Sequence, residues 1–96
     1  RFNLESSATL YAELAPIMFP QEDFKGSDME ISTRLIGLIE TLITALKLPT
    51  KLRDMGIPES FLPSLAKDAM LQTRLLMNNP KDLNIDDALA IYQAAY

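Results

Sequence analysis

The stretch Ser27–Leu48, SDMEISTRLIGLIETLITALKL, decides the fold class. Ser27-Asp28-Met29-Glu30 has the pattern of a capping box. The Ser27 side chain can accept from the Glu30 N–H, and the Glu30 carboxylate can reach back to the Ser27 N–H. Asp28 and Glu30 also place negative charge at the positive end of the helix dipole. Apolar residues then recur at Met29, Ile31, Leu35, Ile36, Leu38, Ile39, Leu42, Ile43, Leu46 and Leu48. Polar or small residues fall in a narrow stripe at Glu30, Thr33, Arg34, Gly37, Glu40, Thr41, Thr44 and Lys47. The spacing predicts a helix from Met29 to Leu48, ended by Pro49, with Lys47 as a dipole-favoured cation in its last turn. Its apolar face is wide enough to want neighbours on at least two sides, so it reads as a central core helix. A membrane-spanning reading fails, because Arg34, Glu40 and Lys47 interrupt every window of ~20 residues.

Upstream, Arg1-Phe2-Asn3 reads as the tail of an earlier helix, and Ser6 or Ser7 as the cap of a helix running to about Phe19. Leu10, Tyr11, Leu14, Ile17 and Met18 carry its apolar face. Pro16 predicts a kink or a stop near Ala15. Phe19 to Ser27 is a polar connector broken by Pro20 and Gly26. Downstream, Thr50–Met55 reads as one helical turn stopped by Gly56 in a left-handed conformation. A helix from about Phe61 to Leu76 follows, with Pro63 in its first turn. Its inward face is Leu62, Leu65, Ala66, Ala69, Met70, Thr73 and Leu76, and Asn78-Asn79-Pro80 stops it. Asn84 caps the last helix, with Asp86 and Asp87 in its first turn and Leu89, Ile91, Tyr92 and Ala95 facing inward. No strand, repeat or low-complexity segment is visible. The fold class is all-α: an array of about four helices plus a short helical turn.

The chain has 96 residues, a net charge of −4, and neither histidine nor cysteine. Acids and bases are interspersed, with no basic patch, which speaks against nucleic acid as a partner. Without His or Cys, the commonest general base, the thiolate nucleophile and the commonest transition-metal ligands are missing. Asp86 and Asp87 diverge on a helix and do not form an acid–base pair. The acids Glu22, Asp23, Asp28 and Glu30 lack the ligand spacing of an EF-hand. Gly26, Gly37 and Gly56 form no phosphate loop. Tyr11, Tyr92 and Tyr96 have no base beside them in the sequence. The chain opens on Arg1 without a signal peptide or lipidation motif, so it is expected to be a fragment or a processed product, and cytoplasmic. It carries no self-contained active site.

Three ordered stretches resemble the C-terminal helical domain of the iron-containing alcohol dehydrogenases, in the dehydroquinate synthase-like fold. They are Arg1-Phe2-Asn3 with Tyr11-Ala12-Glu13-Leu14-Ala15; Leu48-Pro49-Thr50-Lys51-Leu52-Arg53-Asp54-Met55-Gly56-Ile57 with Leu62-Pro63-Ser64-Leu65-Ala66; and Asn79-Pro80-Lys81 with Asp86-Asp87 and Ile91-Tyr92-Gln93-Ala94-Ala95-Tyr96. The resemblance implies that residues 1–96 are the C-terminal part of the helical, metal- and substrate-side domain, and that an N-terminal domain binding NAD(P) lies outside the chain. It implies a divalent metal, Fe²⁺ or alternatively Zn²⁺, held by one Asp and three His upstream of Arg1. The metal would polarise the alcohol or aldehyde oxygen while hydride moves to or from the nicotinamide. The partner would be the missing N-terminal part, and the parent could be a homo-oligomer.

No catalytic, cofactor-binding or metal-ligating residue carries over to this sequence. One pocket position does. Members of the family often carry a Cys facing the substrate four residues before Asn-Pro-Arg, and the same count from Asn79 falls on Leu75. Its leucine would narrow the pocket, and the plainer reading is a buried leucine at a helix end. Lys81 replaces the family's Arg, keeping the charge without the bidentate fork. Two alternatives stand beside the alcohol dehydrogenase fragment: a free-standing helical module that binds a partner helix, and a metal-free reductase or glycerol dehydrogenase branch of the same fold.

Overall fold

The computed structural model describes every residue from Arg1 to Tyr96 and contains helices and turns but no strand. Its α-helices are α1 (Leu4–Met18), α2 (Asp28–Ala45), α3 (Leu62–Ala69), α4 (Thr73–Leu76) and α5 (Ile85–Ala94), with 3₁₀ turns at Leu52–Met55 and Glu59–Phe61. The all-α expectation holds. There are five α-helices where about four were expected, because one expected helix is broken. The chain divides into two compact units, Arg1–Lys47 and Leu48–Tyr96.

The first unit is a helical hairpin in which α1 packs along α2. The capping box forms as the sequence predicts: the Ser27 N–H donates to the Glu30 carboxylate (2.7 Å) and the Glu30 N–H to the Ser27 hydroxyl (3.2 Å). Gly26 makes room for it. Its φ is +109°, and a Cβ there would stand 2.5 Å from Glu30 Oε2. Small residues carry the crossing. Ser7, Ala15 and Ser32 are buried, and the Ser32 hydroxyl donates to the Ala8 carbonyl. Thr9 donates to Asp28 (2.9 Å), tying α1 to the start of α2. Leu35 is the only large apolar side chain of the hairpin that is fully buried. The stripe of threonines on α2 bonds back to its own helix: Thr33 to Met29, Thr41 to Gly37 and Thr44 to Glu40. Their hydroxyls are satisfied locally, so that face can look to solvent. The connector is pinned more firmly than its polarity suggests. The Arg34 guanidinium bonds the Glu22 carboxylate and the Asp23 carbonyl and lies 5.1 Å from the centre of the Phe24 ring.

Three expectations for the hairpin need correction. Helix α1 starts at Leu4, so Ser6 and Ser7 are interior residues rather than caps, and Asn3 holds the N-cap position. Arg1–Asn3 therefore leads directly into α1, the Leu4 N–H bonding back to the Arg1 carbonyl (3.0 Å). Pro16 does not stop α1, which runs on to Met18. Proline removes one donor, and so near the C-terminus the Phe19 N–H still reaches the Ala15 carbonyl (3.0 Å) to complete the last turn. Helix α2 ends at Ala45 rather than Leu48, because Lys47 turns to φ 55°. A left-handed residue closes the helix before Pro49 is reached, and Lys47 is that stop rather than a cation inside the last turn.

In the second unit α3 packs on α5, with Leu62, Ala66 and Ala88 buried. Asn84 and Asp87 form a second capping box, each backbone N–H bonding the other's side chain at 3.0 Å. The Leu52–Met55 turn ends on Gly56 at φ 76°, ψ 16°, the left-handed stop expected from sequence. That segment clasps the end of α5. The Leu52 N–H donates to the Ala95 carbonyl (2.8 Å), and Arg53 donates to the Tyr96 carbonyl while its guanidinium sits 4.7 Å from the centre of the Tyr96 ring. A cation at the negative end of the α5 dipole is favourable in its own right. The expected helix from Phe61 to Leu76 is interrupted at Met70–Gln72. Gln72 leaves the helical region at φ −82°, ψ 54°. No proline or glycine marks this break. Packing against α5 rewards the face that ends near Ala69, and beyond it Leu71, Leu75 and Met77 stay exposed, Leu71 at 72%.

Two outcomes test these assignments. A Cβ at Gly37 meets nothing within 4 Å, so Gly37→Ala should stabilise the chain by up to ~1 kcal/mol. Gly56→Val should cost ~1–3 kcal/mol, because a β-branched residue is strained at positive φ. Denaturation midpoints that move the same way in both variants would refute the pair.

The second outcome concerns acid. The Glu30 carboxyl is held below its ordinary range, first by the Ser27 amide N–H and then by the Ser27 side chain. A depressed folded value means that its contribution is present above the unfolded value of about 4.3 and is lost as pH falls through the folded one. Stability should therefore fall on acidification below about pH 5, and Glu30→Gln should remove part of that slope. Gly26→Ala should do the same by displacing the carboxylate. An unchanged slope of midpoint against pH in both variants would count against the box as an acid-sensitive element.

Candidate functional site

Leu75 sits in α4, a single turn held at both ends. The Gln72 carbonyl accepts from the N–H groups of Leu75 and Leu76 (both 3.0 Å) and starts the turn. Asn78 donates its side-chain amide to the Arg74 carbonyl (2.9 Å) and stops it. Asn79 then closes the bend around Pro80 by donating to the Lys81 carbonyl (2.6 Å), which is why an amide side chain is useful at that position. The turn lifts Leu75 outward. It is 70% exposed in this chain. Gln72, Arg74, Leu75 and Asn78 line an open depression of about 340 Å³. It combines one apolar side chain, two amides and one cation. Such a surface can shape a pocket wall and orient a polar group, but it holds no nucleophile and no acid–base pair.

A second concavity lies within the hairpin. Tyr11, Leu14, Leu35, Ile36 and Ile39 line a groove of about 330 Å³ together with Arg1 and Glu40. Arg1 Nε and one terminal nitrogen bond the two Glu40 oxygens at 2.9 and 2.7 Å. Those bonds, foremost the side-chain hydrogen bond from Arg1, hold the Glu40 carboxyl below its ordinary range. The pair is exposed, so its own contribution to stability is small. The groove residues were legible as apolar helix positions, but periodicity cannot show that the two faces leave a gap between them.

The donors of this chain do not fit a resident metal. It has no His or Cys, and its carboxylates nowhere come together in a group of three. The three glycines do not fit a nucleotide cradle either. Gly26 precedes a cap, Gly37 lies inside α2 and Gly56 ends a 3₁₀ turn. No step through a metal or a nicotinamide can be assigned to these residues. No helix is long and apolar enough to cross a membrane.

Over 70 residues the chain is 43% identical to long-chain-alcohol dehydrogenase 1 of Geobacillus thermodenitrificans, a match covering 73% of this chain and 18% of that protein. It is 29% identical to 1,3-propanediol dehydrogenase of Klebsiella pneumoniae over an alignment covering 100% of this chain and 24% of that protein. The matched part is thus about a fifth to a quarter of either relative's length. No solved structure matches the chain at a significant level. Residues 1–96 match the C-terminal part of the Fe-containing alcohol dehydrogenases, and the chain belongs to that family.

Proposed function

We propose that this chain is the C-terminal helical part of a metal- and NAD(P)-dependent alcohol dehydrogenase, and that it is inactive alone. The observation that carries the reading is the family match across residues 1–96, joined by two relatives, one named a long-chain-alcohol dehydrogenase and the other a 1,3-propanediol dehydrogenase. The nicotinamide dinucleotide and the divalent metal, Fe²⁺ or alternatively Zn²⁺, would be held by the part of the parent outside this chain. With both in place the parent would interconvert alcohols with aldehydes or ketones in the cytoplasm. Many large apolar side chains support the need for a covering partner: Leu10, Ile17, Leu46, Leu71, Leu75 and Met77 are each at least 60% exposed. Such surface is ordinarily buried against further protein. The chain's own contribution would be a wall of the alcohol site at Leu75.

Leu75→Ala in the full-length enzyme tests that wall. A lost apolar contact of this kind is worth ~1–3 kcal/mol, so kcat/KM for a long primary alcohol relative to a short one should rise about tenfold or more. Metal content should stay constant. A flat substrate ratio accompanied by a denaturation midpoint lowered by ~2–5 kcal/mol would place Leu75 in the parent's core instead.

The isolated chain should neither oxidise alcohols nor take up Fe²⁺ or Zn²⁺. One-to-one binding tighter than about micromolar, roughly −8 kcal/mol by calorimetry, would overturn the assignment of the metal to the rest of the parent.

A further inference from the structure

The depression beside Leu75 carries a charge that the chain itself leaves unanswered. There are four arginines in the sequence. Arg1 bonds the Glu40 carboxylate, Arg34 bonds the Glu22 carboxylate and the Asp23 carbonyl, and Arg53 bonds the Tyr96 carbonyl. Arg74 is the fourth, and its guanidinium forms no ion pair with any carboxylate of the chain. It is exposed and lines the depression of about 340 Å³ together with Gln72, Leu75 and Asn78. No acid lines that depression, so nothing in it cancels the charge. Two neighbours keep polar atoms for a ligand. Asn78 donates its amide N–H to the Arg74 carbonyl (2.9 Å), which leaves its side-chain oxygen as an acceptor. Gln72 starts the turn with its main-chain carbonyl, which leaves its side-chain amide for other contacts. One apolar contact thus stands beside a fixed positive charge and two amide dipoles. That combination fits a ligand that is apolar along its length and anionic at its end. An arginine stays charged at any working pH, and its planar fork matches a carboxylate.

We propose that Arg74 is a specificity-determining residue of the alcohol site, and that it receives a carboxylate at the end of the substrate remote from the reacting hydroxyl. The carbon chain between the two ends lies against Leu75. The preferred substrates are then ω-hydroxycarboxylates and the matching aldehyde acids. This rests on the reading of Leu75 as a wall of the alcohol site in the parent enzyme. The reacting end lies elsewhere, because the depression holds no acid–base pair and no set of metal ligands. Arg74 and Leu75 share the depression, so a chain seated on the leucine has the guanidinium at its side. The Gln72 amide donates to the second carboxylate oxygen. The contact is made far from the reacting carbon and is the same before and during the reaction, so it acts on KM rather than on kcat.

The full-length enzyme is assayed with three alcohols of equal chain length: ω-hydroxyhexanoate, n-hexanol and ω-aminohexanol. In the unaltered enzyme kcat/KM should fall in that order, and the spread should shrink as salt is raised. That order needs no variant to fold. Arg74→Gln should lower kcat/KM for ω-hydroxyhexanoate relative to n-hexanol by about tenfold or more, through KM, as expected for the loss of a hydrogen bond between charged groups. Arg74→Glu should place ω-aminohexanol above ω-hydroxyhexanoate, and Arg74→Lys should restore part of the original preference. A ratio that is the same in the unaltered and Arg74→Gln enzymes would overturn the proposal. The same flat ratio with a lowered denaturation midpoint would assign Arg74 to an ion pair within the parent and overturn it equally. So would an unaltered enzyme that takes ω-aminohexanol as well as ω-hydroxyhexanoate. Oxidation of n-hexanol with no dependence on the far-end charge rejects the Arg74 assignment alone. Failure to oxidise any of the three alcohols rejects the dehydrogenase reading itself.

Discussion

Small side chains at the helix crossings constrain everything else in this chain. In the hairpin the buried positions are Ser7, Ala15, Ser32 and Leu35, and in the second unit they are Leu62, Ala66 and Ala88. Small residues let two backbones approach until a side chain of one helix can bond the main chain of the other, as Ser32 does with Ala8. The same choice limits the apolar volume enclosed. Each unit fully buries one leucine, worth ~1.5–3 kcal/mol of transfer free energy, while ordering each backbone residue costs ~1–2 kcal/mol. The fold therefore leans on local devices: two capping boxes, a left-handed stop at Gly56 and the clasp of Arg53 on the end of α5. It also leaves broad apolar faces for other protein to cover.

The local devices are what the sequence announces best. A capping box needs only two residues three apart, and both Ser27–Glu30 and Asn84–Asp87 form it. Gly56 is readable for the same reason, because one backbone conformation selects one residue type. Boundaries set by tertiary packing are not readable in this way. Ser6 and Ser7 have the chemistry of caps, yet α1 begins before them. Lys47 takes a left-handed conformation that its side chain does not favour, so Pro49 misdirects the end of α2 by a few residues. The break between α3 and α4 carries no breaker residue at all. Periodicity located the apolar stripes but not the packed faces: on α1 the buried positions are Ser7 and Ala15 while Leu10 and Ile17 stay largely exposed, and on α5 Ala88 is buried while Ile91 is not, since a pattern does not show what stands opposite it.

The candidate site was legible to a lesser degree. Composition alone removes histidine and cysteine chemistry from the chain, and the carboxylates remain scattered in three dimensions. Leu75 was identified by its count from Asn79 within the family pattern, and no physical signal in the sequence separates it from Leu71 or Leu76. What the fold adds is the mechanism of its exposure: a one-turn helix bounded by Gln72 and Asn78, with Asn79 holding the bend beyond it. The Arg1–Glu40 contact and the groove beside it were invisible in sequence, being a relation between residues 39 positions apart.

The placement of the aromatic residues has an optical consequence. The chain contains no tryptophan and three tyrosines. Tyr11 lines the hairpin groove, whereas Tyr92 lies on α5 and Tyr96 stacks under the Arg53 guanidinium. Ultraviolet absorption and emission near the tyrosine bands therefore arise from two separate places. Exchanging Tyr11 for phenylalanine would leave the signal of the second unit alone, and exchanging Tyr92 and Tyr96 would leave that of the hairpin. The molecule thus carries its own pair of spectroscopic reporters, one for each unit, with no dye or added chromophore.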